Sequence, residues 1–242
     1  MMERIILTQM YDELSFEALA ARVTDDPVVF LPIGATEEHG RHLPLGADTF
    51  QAIDMCNALA QRVNGLVLPP LSYGVSTSLK EFPGTISISF QALNIVVRDI
   101  LRELVRNEIR KIVVVSGHGA QVHMSAIKSA CEEVSDASDA RIMALCDYEV
   151  AYRQKGRQGI PQDDGHGGMI ETSRMLAIRP SLVSEDRPSG RDTTPDFFVT
   201  RHRKRYMAEG IIGDSSKASA SLGLQINSYV VEELVKAIRA VM

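Results

Sequence analysis

No stretch of the chain approaches the run of about eighteen apolar residues needed to cross a bilayer as a helix. Residues 1–11 also lack an extended apolar segment followed by a small-residue cleavage site. A soluble, cytoplasmic protein without a membrane partner is therefore expected. Cysteine is sparse: Cys56, Cys131 and Cys146 lie far apart without CxxC spacing, so they read as reduced thiols filling the core rather than as ligands. Basic charge is not in excess either, and a net charge of -5 argues against a general nucleic-acid binder. No linker-like shift in composition, internal repeat or low-complexity tract divides the 242 residues, which are enough to bury a full core. One domain over residues 1–242 is expected. A hydrophobic fraction of 45% and a charged fraction of 24% fit a globular enzyme and exclude a disordered or fibrous chain.

Short apolar runs alternate with longer amphipathic ones, which predicts an α/β protein with helices covering a mostly parallel sheet. Strands are predicted over residues 28–33, 66–69, 111–115 and 141–146. Helical spacing of apolar residues predicts helices over 49–63, 93–106 and 122–134. Asp48, Ser87 or Ser89, and Gln121 stand near their starts, where Asp and Ser types cap free N–H groups. A further helix is predicted over 168–178, ending before Arg179-Pro180, and a last one over 230–241. Residues 156–165 and 184–213 are rich in Gly, Pro, Asp and Arg without periodicity and read as long loops, suited to walling a ligand crevice at the strand ends.

Three segments carry chemistry. Glu37-Glu38-His39-Gly40-Arg41-His42-Leu43-Pro44-Leu45-Gly46-Ala47-Asp48 packs carboxylates and imidazoles directly after a strand, the donor set for zinc, manganese or iron. Glu37 and His39, two apart in extended backbone, share a face. Asp48 is either a helix cap or a ligand able to bridge two ions, and His42 either a ligand or a supporting hydrogen-bonding group. In the second segment, the β-branched run 112–115 leads into Ser116-Gly117-His118-Gly119, placing an imidazole at the carboxyl end of a strand, where a parallel sheet keeps its site. The flanking glycines let backbone approach a substrate, and the Gly119 N–H is a candidate contact; the phosphate-cradling pattern GxxxxGK[ST] is absent. The third is Asp163-Asp164-Gly165-His166-Gly167-Gly168-Met169-Ile170-Glu171. Here His166 falls in a loop and Glu171 early in a helix, where a carboxylate also suits the macrodipole. Asp163 and Asp164 read as solvated loop acids or as groups orienting His166, and Met169, Met175 and Leu176 as core.

Together these segments resemble the creatininase family of metal-dependent amidohydrolases. The resemblance begins at residues 31–44, with the Glu-x-His pair Glu37 and His39. It continues through Asp48, Phe82-Pro83-Gly84-Thr85-Ile86-Ser87, Ser116-Gly117-His118-Gly119 and His166-Gly167-Gly168-Met169-Ile170-Glu171-Thr172-Ser173, to Gly210-Ile211-Ile212-Gly213-Asp214. It implies a three-layer α/β/α sandwich and a homo-oligomer, in that family a hexamer. It also implies two divalent ions per subunit, zinc first and manganese or iron next. Glu37, Asp48 and His118 would hold one ion, and His39, Asp48 and Glu171 the other. His166 would shuttle a proton to the leaving nitrogen, an imidazole having the right ordinary pKa for that work, and Glu171 would act as ligand, base or both.

The sequence departs from creatininase proper at several points. An acidic residue two positions after the histidine matching His118 is replaced by Ala120, and the tryptophans that close the creatininase pocket are absent, so creatinine is not the expected substrate. The expected reaction is hydrolysis of a small cyclic or linear amide. Within the same family, a formamide deformylase or a C–C hydrolase opening a cyclic diketone such as an oxidised inositol stands as an alternative. A non-catalytic binding protein, suggested by Ala120, is the alternative from another class. Ser78, in the polar loop before Pro83-Gly84, is a candidate substrate contact. The basic run Arg201-His202-Arg203-Lys204-Arg205 reads as a solvated or subunit-contact segment, or else as an anion-recognition element.

Overall fold

The apolar run Val28–Ile33 forms the strand on which the fold is built, and all of its residues are buried. The computed structural model describes residues 9–242, so most of the segment read above for a leader lies outside the described residues. Strands β1 (Val28–Ile33), β2 (Gly65–Val67), β3 (Lys111–Ser116) and β4 (Arg141–Cys146) make one all-parallel sheet in the order β2-β1-β3-β4. Pro32 sits inside β1 although it has no N–H for a ladder. It is tolerated because β2 ends at Val67, opposite Phe30, and beyond that point Pro32 only has to accept, from Leu71 N at 3.0 Å.

Seven helices, α1 (Phe16–Val23), α2 (Ala47–Arg62), α3 (Phe90–Arg106), α4 (Gln121–Asp136), α5 (Asp147–Ala151), α6 (Met169–Ile178) and α7 (Ala220–Val241), are found among the described residues. α3 and α4 pack together on one face of the sheet, while α2, with α6 and α7 against it, covers the other. The three-layer α/β/α arrangement expected from the sequence is therefore the observed one. α3 buries Leu93, Val97, Leu101 and Leu104 along one stripe and is capped by Ser89, whose hydroxyl accepts from Ala92 N at 3.1 Å. Asp48 is not the cap of α2: Gly46 holds that position without a side-chain bond, and Asp48 lies inside the first turn. Gln121 likewise opens α4 behind Ala120.

The observed elements differ from expectation in three places. α7 starts ten residues earlier than predicted, capped by Ser219, and its first half buries Leu222, Gly223 and Ile226, with Gly223 closest to α6. A Cβ on Gly223 would lie 1.9 Å from Ser173 O, so glycine alone permits this approach. α1 buries none of its residues completely, and α5 is too short to show a period, so neither left a readable pattern. Residues 184–213 are not wholly irregular: Ser189–Gly190 (β5) pairs antiparallel with Gly213–Asp214 (β6). All three cysteines are free and buried, as expected of core filler. No helix among the described residues is long and apolar enough to cross a membrane.

Between α6 and α7 the approach admits no side chain. Gly223→Val is therefore expected to cost about 1–3 kcal/mol by overpacking, measured by urea denaturation; unchanged stability would mean the two helices have room to separate.

Candidate metal centre

β1 and β3 are neighbours whose connections leave in opposite directions, so a crevice opens at their carboxyl ends. Glu37 and His39 follow β1, and His118 follows β3. Asp48 comes from the first turn of α2 and Glu171 from the first turn of α6. Gly117 brings the end of β3 against α2, since a Cβ there would lie 2.1 Å from Asp48 O. Three groups result whose donor atoms converge: Glu37, Asp48 and His118; His39, Asp48 and Glu171; and Glu37, His39 and His166. The five residues named as ligands above thus fall into two sets sharing Asp48.

The distances are short. His39 Nε2 is 2.9 Å from Asp48 Oδ1 and 4.0 Å from both Glu37 Oε1 and Glu171 Oε2. His118 Nδ1 is 3.1 Å from Glu37 Oε1 and 3.2 Å from Asp48 Oδ2. Glu37, His39, Asp48, His118 and Glu171 are all buried. Burial alone would lower the His39 pKa, but Asp48, with Glu171 and Glu37, pushes it up to about 10. His118 is raised in the same way against burial, by Glu37 and Asp48. Among the described residues no lysine or arginine is ion-paired with Glu37, Asp48 or Glu171, so the imidazoles are the cluster's compensating charge.

The same residues fit a bound cation. Both oxygens of Glu37 and Oδ2 of Asp48 are buried without a hydrogen-bond partner, which is costly unless positive charge faces them. The imidazoles are oriented for it. His39 Nδ1 lies 3.1 Å from Glu37 O and His118 Nε2 lies 3.2 Å from Val75 O, and a carbonyl only accepts. Each ring therefore spends its N–H on backbone and turns its other nitrogen to the carboxylates, the arrangement that fixes a metal-binding tautomer.

His123, which sequence reasoning missed, supports His118. Val75 N donates to His123 Nδ1 at 3.2 Å, His123 Nε2 donates to Ser116 Oγ at 3.1 Å, and Ser116 Oγ donates to His118 O at 2.8 Å. With the His118 Nε2 to Val75 bond this closes a circuit. His123 is kept neutral, its pKa pushed down to about 3 by burial and then by His118. Its position within a helix, five residues past the glycine-flanked histidine, gave no signal beyond residue type. His42 is not in the cluster: its Nε2 meets Thr172 Oγ1 at 2.7 Å, the supporting role weighed for it. Glu38 is buried beside it and accepts from Gly40 N at 2.9 Å.

Asp164 is neither solvated nor an orienter of His166. It is buried and caps α6, accepting from Met169 N at 2.6 Å and Ile170 N at 3.0 Å. His166 is held rather than loose: its ring lies 4.4 Å from that of His39, and Nε2 is 2.8 Å from Glu38 O. Glu171 Oε2 accepts from Gly167 N, tying the His166 loop to the cluster.

A cavity of about 210 Å³ opens over these groups. Ser78, Gly119 and Ala120 line it, together with Arg203 of the basic run and with Tyr148, Tyr152, Met207 and Ile212, which were not assigned to a site from the sequence. Tyr148 is set by Gln51, whose Oε1 accepts from the phenol at 2.6 Å, and by Arg174, which lies over its ring.

Comparison with known proteins agrees with this geometry. The sequence pattern of the family "Creatininase: Creatinine amidohydrolase" matches residues 12–238. The chain is 32% identical to the creatinine amidohydrolase of Pseudomonas putida, covering 94% of this chain and 95% of that protein. It is also 32% identical to a mycofactocin precursor peptide peptidase of Mycobacterium ulcerans, over 88% of this chain and 84% of that one. A solved structure titled "Creatininase Mn" superposes with a TM-score of 0.85 at 31% identity, covering 97% of this chain and 98% of its own. The chain belongs to the creatininase family of metal-dependent amidohydrolases.

Asp164 satisfies two backbone N–H groups at the start of the helix that carries Glu171. Asp164→Ala is expected to cost about 1–2 kcal/mol as a lost cap, read from chemical denaturation; a loss below a few tenths would mean the N–H groups find other acceptors.

Proposed function

We propose that the chain hydrolyses the C–N bond of a small cyclic or linear amide, as one hydrolase domain over residues 1–242. Glu37, Asp48 and His118 would hold one divalent cation and His39, Asp48 and Glu171 a second. The observation that carries this is the convergence of two buried donor sets on Asp48, with the imidazoles turned toward them by backbone carbonyls. When bound, such ions polarise a carbonyl and lower the pKa of water towards neutrality. Nitrogen and oxygen donors accept zinc, manganese or iron, and zinc is the first choice.

The chain's own groups supply the rest. His166 stands at the cavity wall with Nδ1 3.8 Å from Glu37 Oε1, placed to hold a proton for a leaving nitrogen. Burial and His39 lower its pKa, but Glu38, Glu171 and Glu37 outweigh them and raise it, which favours the donor form. Ser78 and Gly119 offer polar contacts to substrate, and Leu79, Met207 and Ile212 give an apolar wall that keeps water out. Ala120 does not leave the second donor set short of a carboxylate, because Glu171 occupies that place from α6, and this disfavours the non-catalytic alternative. Relatives named for amide and peptide hydrolysis favour C–N cleavage in an amide or peptide over cleavage of a formamide or of a C–C bond. A homo-oligomer, in this family a hexamer, in the cytoplasm completes the reading; an apolar groove lined by Leu71, Tyr73, Ile88 and Val96 supports a subunit contact.

Three outcomes are expected. Chelation should abolish hydrolysis in a screen of cyclic and linear amides, and zinc or manganese should restore it; activity that survives complete removal of metal defeats the proposal. His118→Ala and Asp48→Ala should lose bound metal, by elemental analysis, while His166→Ala should keep it and lose about 10²–10⁴-fold in kcat. His123→Phe should weaken metal affinity by about 10–100-fold in competition with a chromogenic chelator, and an unchanged affinity would make His123 mere packing.

A further inference from the structure

Within the basic run 201–205, Arg201, Lys204 and Arg205 are exposed, but Arg203 is half-buried and forms part of the cavity wall. Among the described residues it is the only lysine or arginine lining that cavity. We propose that Arg203 binds a carboxylate on the substrate, so that the amide hydrolysed here belongs to an acid, such as an N-acyl amino acid or the C-terminal residue of a short peptide. The proposal rests on the hydrolase reading above and names its substrate class.

The guanidinium is held in advance of any ligand. One of its nitrogens, Nη2, donates to Asp192 Oδ2, and Asp192 Oδ1 is itself fixed by Thr194 N at 2.9 Å and Thr194 Oγ1 at 2.6 Å. On either side of Arg203 the chain is clamped by one carboxylate: Glu81 Oε1 meets His202 Nδ1 at 3.0 Å, and Glu81 Oε2 accepts from Lys204 N at 3.2 Å. Such anchoring reduces the entropy that an arginine otherwise loses on binding. Asp192 does not exhaust the group, which has five N–H donors. Arg203 Nε is buried without a hydrogen-bond partner, so Asp192 meets the group through Nη2. The neighbouring wall is apolar, with Leu79, Met207 and Ile212 packed together and Phe82 beneath them. A charge-assisted bond to a planar carboxylate is stronger there than on an open surface.

The test uses matched probes: N-acetylglycine, N-acetyl-β-alanine and N-acetyl-γ-aminobutyrate, each against its carboxamide, titrated calorimetrically into the zinc-loaded protein. In the wild type at least one acid is expected to bind about 10–100-fold more tightly than its carboxamide. The preference should fall to within about threefold in Arg203→Met and to an intermediate value in Arg203→Lys, which keeps the charge but loses the fork. Circular dichroism checks the fold, and Arg203→Lys carries the comparison if Arg203→Met does not fold. No preference in the wild type, or an undiminished preference in the folded variant, overturns the proposal; the latter would assign the carboxylate to the metals. Release of acetate is followed separately. Preferential binding without release would leave Arg203 as the carboxylate group and count against the amide-hydrolase reading.

Discussion

Three carboxylates, Glu37, Asp48 and Glu171, are buried within reach of one another, and no lysine or arginine among the described residues pairs with them. Buried like charges at this spacing are stable only if positive charge stands between them. The histidines can meet that need, because Asp48, Glu171 and Glu37 raise the pKa of His39, and Glu37 and Asp48 that of His118, against the effect of burial. Much of the local architecture follows from keeping these charges close. Gly117 removes the side chain that would separate β3 from α2, and the α6 cap Asp164 fixes the helix turn that delivers Glu171.

Holding the imidazoles requires a second layer, and it is built largely from backbone. Glu37 O and Val75 O receive the N–H groups of His39 and His118, so ring orientation depends on loop conformation more than on neighbouring side chains. His123 and Ser116 then tie the Val75 loop back to the end of β3. The loop and the strand cannot shift independently without breaking that circuit. The energetic logic is that of any preorganised polar site: satisfied groups add rigidity, whereas one missing member leaves a buried donor or acceptor exposed to its full desolvation cost.

How much of this was legible depended on sequence distance. Val28–Ile33 was readable because a parallel strand buried on both faces shows as a continuous apolar run, and Arg141–Cys146, a half-buried edge strand, also falls where expected. Glu37 and His39 stood out because they lie two residues apart on one extended segment. Residue pattern alone did not join His118 and Glu171 to them; the family resemblance did, and the fold brings the donor atoms together. Asp164 and His123 were misread or overlooked, since a buried cap and a buried supporting imidazole look, as letters, like any loop acid or helix histidine. Tyr148 and Tyr152 were not assigned to a site because they reach the cavity from short elements that leave no period, whereas Arg203 stood in a basic run whose readings were solvation, a subunit contact or anion recognition.

The division between these parts bears on how one site serves different amides. The residues of the two donor sets come from strand ends and from the first turns of α2 and α6, which are locked to the core. Much of the far wall comes instead from the 190–212 segment, held by side-chain contacts such as Asp192 with Arg203 and Glu81 with His202. Changes in that segment can alter what the cavity accepts without moving a carboxylate or an imidazole. Relatives sharing about a third of their residues with this chain are named for substrates as unlike as creatinine and a precursor peptide. The chain has no tryptophan, and its cavity is walled by an arginine, two tyrosines and aliphatic side chains beside the two donor sets.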